Sequence, residues 1–199
     1  LILVDREHGY QTSDIEKMGL NSQSTAIVSF QDVRVPAGNL MVEPGKAMKA
    51  LLTMLASSRP IIGLMAMAIA EASLEEAVRY ARERQQFGKP IAGHQLICAK
   101  LGEMATKVQA GKLMSYRALS AIDNGERSDV HSAMAKWFGT DLACEVVAEA
   151  MQIHGGNGIT TEFPIEYMYR SVRPFMVTEG TTEIQKLAIG RSLTGIDAF

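Results

Sequence analysis

Asp129-Val-His-Ser-Ala133-Met-Ala-Lys-Trp137-Phe138-Gly-Thr-Asp-Leu142-Ala-Cys-Glu-Val146-Val-Ala-Glu-Ala150-Met151-Gln-Ile153 places Ala133, Trp137, Phe138, Leu142, Val146, Ala150 and Met151 on one stripe. Spacings of three and four are the period of a helix with a buried face. The run stops at Gly155-Gly156, as a helix that ends on glycine does. Upstream, Ile91 to Ile122 repeats the pattern through Leu96, Ile97, Leu101, Met104, Ala105 and Val108, and ends at Asn124-Gly125. Earlier still, Ala47 to about Arg84 reads as one long helix interrupted at Pro60, with Gly88-Lys89-Pro90 as its stop. After a short segment near Phe163 to Arg170, a last helix is expected from Thr182 to Leu193, where Thr182 and Gln185 have capping-box spacing. Three long helices and a short terminal one predict a mainly α chain built as an antiparallel four-helix bundle.

The first forty residues read differently. Leu1 to Val4 is a short apolar run, and Thr25-Ala-Ile-Val-Ser-Phe30 alternates as a strand does. Gly9, Ser13, Asp14, Gly19, Asn21, Ser22 and Ser24 mark turns between them, and Pro36-Ala-Gly38 and Pro44-Gly45 close the segment. Two or three strands are too few for a stable sheet. They predict the end of an incomplete β-domain whose other strands lie before Leu1 or come from a partner. Leu1-Ile-Leu-Val-Asp5 carries no initiator Met and no signal or targeting pattern, which points to numbering that starts within a longer protein, or to a fragment.

Composition narrows the function. The 199 residues are 47% hydrophobic and 21% charged, with a formal net charge of −2, so the chain is globular and no general polyanion binder. Lys and Arg are scattered, which argues against a nucleic-acid module. No uncharged apolar run reaches the roughly 18 to 20 residues of a membrane span. The longest, Pro60 to Ala70, lies between Arg59 and Glu71. Cys98 and Cys144, both in helical patterns, read as buried free thiols in a reducing compartment. Metal-spaced Cys or His clusters, a P-loop, GxSxG and a strand-linked GxGxxG are all missing from the sequence.

Three places at helix ends carry candidate chemistry. Arg82-Glu-Arg84-Gln-Gln-Phe87-Gly88 sets Arg84 and Phe87 on one face, which could hold a phosphate or a flat ring; the pattern alone favours a helix C-terminus with a dipole-compensating Arg. Gln152-Ile-His154-Gly-Gly156-Asn-Gly158 offers backbone that a ligand can approach closely, and also suits an ordinary glycine cap. Thr178-Glu179-Gly180-Thr181-Thr182-Glu183 offers a loop carboxylate suited to a general base, or acidic residues that favour a helix N-terminus.

Taken together, Tyr80-Ala-Arg-Glu-Arg84-Gln-Gln-Phe87-Gly88-Lys-Pro-Ile91, His94-Gln95, Gln152-Ile-His-Gly-Gly156-Asn-Gly158 and Tyr169-Arg170…Thr178-Glu179-Gly180-Thr181 resemble the acyl-CoA dehydrogenase family in order and spacing. The resemblance covers essentially the whole chain. It implies that residues 1–43 are the last strands of the family's middle β-domain and 44–199 its C-terminal helical domain. The N-terminal helical domain and the strands that carry most of the flavin-stacking residues have no counterpart here.

The resemblance also implies roles. Glu179 matches the base that removes the α-proton of an acyl-CoA thioester while the β-hydride passes to N5 of FAD, giving a trans-2-enoyl-CoA. The thioester carbonyl is expected to accept hydrogen bonds from the Glu179 backbone N–H and a ribityl hydroxyl, which stabilises the enolate. Gly180 lets the acyl-CoA pass the backbone. Ser58 occupies the position where some members carry the base; since Ser58 cannot serve and Glu179 is present, the straight-chain or short-branched type is favoured over the isovaleryl type. Ala56-Ser-Ser58-Arg59 matches a CoA-contacting stretch that often begins with Asp, here Ala56.

Arg84, Phe87 and Gln95 match residues that meet the FAD of a neighbouring subunit. Gln152, Ile153, His154, Gly155 and Gly156 match the loop whose backbone lies along the same dinucleotide. Thr181 and Glu183 match FAD contacts close to the base. The resemblance therefore implies a homo-oligomer, dimer or tetramer, with helices rich in Met and Ala between subunits. It implies electron-transferring flavoprotein as the acceptor, no metal, and a cytoplasmic or mitochondrial-matrix setting. The alternative is a truncated or non-catalytic oligomerisation piece lacking the N-terminal part of the site. An oxygen-reacting oxidase is disfavoured because such chains run longer, and nitroalkane-type relatives because they favour Asp at the base.

Overall fold

Helices α1 (Ala47–Glu83), α2 (Gln95–Asp123) and α3 (Asp129–His154), with the shorter α4 (Ile165–Val172) and α5 (Thr182–Thr194), make up most of the computed structural model, which describes residues 1–197. The chain divides into two compact units, Leu1–Leu55 and Ala56–Phe199.

In the first unit, β2 (Ala26–Ser29) is the strand expected from Thr25-Phe30, but its partner differs. β1 (Gln11–Asp14) pairs with it antiparallel, Gln11 opposite Ser29 and Asp14 opposite Ala26, across residues the sequence marks as turn. Polar β1 is wholly exposed, so no apolar alternation announces it. Leu1 to Val4 is not a strand. Ile2 makes a single bridge to Leu40, and Leu3 N–H donates to the Asn39 carbonyl at 2.9 Å. The hairpin leaves Ile27 (60% exposed) and Phe30 (59%) uncovered.

The helical unit follows the periodicity more closely. α1 is not interrupted at Pro60 but runs through it, although proline removes the donor that the Ala56 carbonyl would use. By length and composition alone α1 is apolar enough to cross a membrane. Its buried face is made of small residues and Met67, and its Arg59 and Glu71 both have polar partners in this unit. Gly88-Lys89-Pro90 is not a simple stop. The chain turns back in a tight hairpin of β3 (Gln85–Gln86) and β4 (Lys89–Pro90), then makes a 3-10 turn over Ile91–Gly93, so α2 begins at Gln95 rather than Ile91.

α3 is the centre of the unit. It is buried on more than the expected stripe: Ala135, Lys136, Ala143 and Val147 are closed off as fully as Ala133, Val146 and Ala150, while Trp137, Phe138 and Met151 are only half-buried. Small residues let α1 come very near it. A Cβ on Gly63 would lie 2.7 Å from the Ala135 carbonyl oxygen, and one on Gly139 would lie 3.3 Å from the Gly63 Cα. Lys112 on α2 pairs with Glu71 on α1 at 2.9 Å, and Lys107 on α2 with Glu145 on α3 at 2.8 Å. Being open to water on one side, such partly buried pairs orient the helices more than they stabilise them. Both cysteines are free, but Cys98 is exposed and Cys144 half-buried, so neither is the fully buried thiol expected.

Candidate active site

Glu179 sits where the chain passes from a 3-10 turn (Arg173–Met176) into α5, with φ of 55°, and Gly180 follows at 100°. Two successive left-handed residues swing the backbone round, and the first is costly for a side chain with a Cβ. Glycine is required at the second. A Cβ there would lie 2.8 Å from Gln185 Nε2, and the φ itself disfavours any other residue.

Groups from three helices hold this turn. Ser58 on α1 donates its hydroxyl to Glu179 Oε2, and Arg59 Nε donates to the Glu179 carbonyl at 3.2 Å. Gln185 on α5 donates to the Gly180 carbonyl at 3.0 Å and to the Glu179 carbonyl at 3.4 Å. Lys136 on α3 donates to the Met176 and Gly180 carbonyls, both at 2.8 Å. Burial pushes the Lys136 ammonium down to about 8, against the opposing pull of Asp141. Burial also lowers Arg59, with Glu179 acting the other way. The Asp141 carboxylate is itself engaged by Trp137 Nε1 at 2.9 Å and the Thr182 hydroxyl at 3.2 Å.

The start of α5 differs from the sequence expectation. Thr181, not Thr182, caps α5, and Gln185 turns back to the Glu179 loop instead of closing a capping box. Ser58 and Arg59 bond to the candidate base and its carbonyl, contacts that the sequence does not announce. Lys136 escapes the motif reading altogether, and Gln185 enters it only through its capping-box spacing. The only signal for Lys136 is a charge inside an apolar helix, between Ala135 and Trp137. Thr181 and Glu183 stand beside Glu179 at the start of α5. The Glu183 carboxyl lies below the usual carboxylate range because its own backbone N–H and the Thr181 hydroxyl donate to it.

The remaining candidates gather at the other end of α1. Phe87 and Gly88, both left-handed at 53° and 79°, make the two-residue turn between β3 and β4, the pattern of a type I′ hairpin turn. Phe87 is 92% exposed, with its ring edge 6.0 Å from His94. Arg84 and Gln95 flank it and are exposed. Tyr80 links this hairpin to the glycine loop: it stacks on His154 at 4.3 Å, and its hydroxyl accepts from Asn157 Nδ2 at 3.0 Å.

In that loop the side chains of Ile153 and His154 are turned inward. His154 is packed between Tyr80 and Phe163, with Nδ1 2.8 Å from the Ala150 carbonyl. Gln152, Gly155 and Gly156 face outward, and a Cβ on either glycine would meet open space. From Arg59 to the end of α1 the helix rises roughly 36 Å, at 1.5 Å per residue. The sequence candidates thus form two groups, near opposite ends of this stretch of α1.

Among the described residues, one grouping could offer three metal-ligand atoms: Asp5, Glu7 and His8 in the first unit. His8 Nδ1 there accepts the Asp5 N–H at 3.1 Å.

Residues 45–194 match the model of the acyl-CoA dehydrogenase C-terminal domain. The chain is 38% identical to the caffeyl-CoA reductase-Etf complex subunit CarC of Acetobacterium woodii, over 89% of this chain and 47% of that protein. It is 35% identical to the cyclohexane-1-carbonyl-CoA dehydrogenase of Geobacter metallireducens, over 93% and 49%. Among solved structures, butyryl-CoA dehydrogenase from Megasphaera elsdenii superposes with a TM-score of 0.94 at 36% identity, covering 96% of this chain and 50% of that one. The chain therefore spans about half the length of the curated relatives it matches.

Proposed function

Because this chain belongs to the acyl-CoA dehydrogenase family, we propose that it supplies the base and part of the cofactor-binding surface of an FAD-dependent enzyme. The enzyme interconverts a saturated acyl-CoA thioester and its α,β-unsaturated counterpart. The observation that carries this reading is the Glu179 turn: a carboxylate at a strained left-handed position, its backbone held by donors from α1, α3 and α5. Strain maintained from several directions marks a place where one orientation of a side chain matters more than local stability.

Glu179 takes the α-proton of the thioester onto its carboxylate. Its backbone N–H stands ready for the thioester oxygen, where negative charge develops as the proton leaves. Gly180 keeps the space beside the base free of a side chain. Arg59 and Gln185 fix the Glu179 carbonyl, which sets the direction of the whole residue. When bound, FAD supplies the acceptor for the hydride leaving the β-carbon.

The outward-facing groups at the far end of α1 fit that dinucleotide. Arg84 offers a forked cation for phosphate, Gln95 and Gln152 offer exposed amides, and Gly155–Gly156 offers open backbone. These groups lie toward the far end of α1 from Glu179 and, as the family resemblance implies, serve the FAD of a neighbouring copy. The protein is then a homo-oligomer, and Ile61, Met65, Leu113 and Tyr116, each 48–65% exposed, are apolar surface available to it. The substrate is an acyl-CoA, and the redox partner is an electron-transferring flavoprotein. The names of the Acetobacterium subunit and of a matching Acidaminococcus fermentans structure support that partner. The Acetobacterium relative is named a reductase, so either direction of the reaction is compatible with this base.

A second reading follows from the coverage of relatives: alone, the 199 residues hold the base but retain FAD weakly or not at all, and act as an assembly piece. The test uses the full-length protein. Glu179→Gln is expected to abolish flavin bleaching by acyl-CoA while FAD stays bound; bleaching at the parent rate would reject the assignment. A colourless preparation of the 199-residue chain would support the second reading for this chain alone.

A further inference from the structure

Lys136 is the largest fully buried side chain among the described residues, and it has no carboxylate to itself. Asp141, the acidic group that pulls hardest on it, is already shared between Trp137 and Thr182. The Lys136 ammonium points at two main-chain carbonyls instead, Met176 and Gly180. Burying a lysine against neutral carbonyls is expensive, and an apolar side chain of similar length would fill the same space at lower cost. Stability is therefore a poor account of its presence.

Its two acceptors bracket the base. Met176 closes the 3-10 turn, and Gly180 stands one residue before the Thr181 cap of α5. Between them Val177 is 56% exposed, and Val177 and Thr178 have backbone bonds only to Pro174, on the N-terminal side. Arg59 and Gln185 hold the Glu179 and Gly180 carbonyls, but among the described residues only Lys136 reaches both ends of the loop. A single ammonium, with three donors and a charge, can draw two carbonyls to one point.

We propose that Lys136 is a positioning residue: by tying the Met176 and Gly180 carbonyls together it closes the loop that presents Glu179, and so governs the rate of proton removal without touching substrate. This rests on Glu179 being the base, and the experiment separates the two assignments. In the full-length FAD-loaded protein, Lys136→Met is expected to keep its flavin and to bind acyl-CoA within about 3-fold of the parent. Its bleaching rate is expected to fall about 10- to 100-fold. Amide hydrogen exchange over residues 177–181, read by mass spectrometry without substrate, is expected to quicken about 10-fold or more. Lys136→Arg, which keeps charge and donors, should restore slow exchange and most of the rate. Should Lys136→Met fail to fold, Lys136→Gln is read by the same criteria. Parent-like exchange over 177–181, or a parent-like bleaching rate, in the neutral variant overturns the proposal. Glu179→Gln is the control. It should abolish bleaching with exchange unchanged, whereas bleaching that survives it removes the base assignment and leaves the exchange result standing.

Discussion

The Ser58 hydroxyl of α1 donates to Oε2 of Glu179, 121 residues away in sequence. This bond joins the position where the family resemblance puts the base of some members to the carboxylate proposed as the base here. A donor on one carboxylate oxygen limits rotation about the terminal bonds of the side chain, and orientation contributes strongly to a proton transfer. Ser58→Ala in the full-length protein is expected to slow flavin bleaching about 10-fold, with acyl-CoA affinity within about 3-fold. Ser58→Thr, which keeps the hydroxyl, should stay close to the parent. Stopped-flow absorbance at saturating acyl-CoA measures both, and an unchanged rate in Ser58→Ala would show that the bond does not orient the base.

Lys136 also gives the fold a pH signature. Burial lowers its folded-state value from 10.5 to about 8. Between those two values the unfolded chain binds more protons than the folded one, so this residue makes stability rise with pH across the window. Below about pH 8 both states hold the proton and the cost of burying the charge is paid in full. A shift of this size corresponds to about 3 kcal/mol over the whole window. Denaturant unfolding of parent and Lys136→Met at pH 7.5 and pH 9.5 isolates the effect, because other groups titrate alike in both. The parent should gain stability relative to the variant as pH rises, and a constant difference would contradict the burial argument.

Helices were legible in the sequence because their cores are periodic. α1, α3 and α5 begin and end within one or two residues of the expected positions. β1 was not legible, since Gln11 to Asp14 is polar and exposed and pairs only through its backbone. The hairpin at Phe87 was hidden for the opposite reason: Gly88-Lys89-Pro90 spells a helix stop, and the left-handed φ of Phe87 is a conformation that phenylalanine does not advertise. At the site, the residues proposed for the chemistry stood out as motifs, as did Ser58 and Arg59, but Lys136, which holds the loop around the candidate base, did not. Lys136 looks like an interruption of an apolar helix until Met176 and Gly180 are brought to it from 40 and 44 residues away. Long-range acceptors of this kind are main-chain carbonyls, which carry no sequence signal.

The crossing of α1 and α3 depends on glycine for reasons of space. Gly63 faces the Ala135 carbonyl, with Gly139 one turn further along, and backbone cannot move aside as a flexible side chain does. Gly63→Ala should force the two helices apart and destabilise the protein by about 1–3 kcal/mol. Gly102→Ala, on the exposed surface of α2 with nothing within 4 Å of the added methyl, should be neutral or stabilising by up to about 1 kcal/mol. Chemical denaturation of both variants tests the contrast. Similar stabilities would mean that α1 and α3 are not held at the observed separation.

Phe87 brings local strain and exposure together at one residue. A phenyl ring that is 92% exposed contributes little to this chain's own core, while its φ of 53° costs energy that glycine would avoid. Phe87→Gly should therefore leave the stability of the helical unit within about 1 kcal/mol of the parent. If the ring and the neighbouring Arg84 cover the dinucleotide of an adjacent copy, the same variant should lose FAD more readily. The expected loss is about 10-fold in affinity for Phe87→Gly and a similar or larger loss for Arg84→Ala, which removes a forked phosphate donor. Flavin absorbance after dialysis of the full-length protein, set beside its unfolding curve, separates the two effects. Retention of FAD at parent levels in both variants would place the hairpin outside the cofactor site and leave the left-handed Phe87 without a binding role.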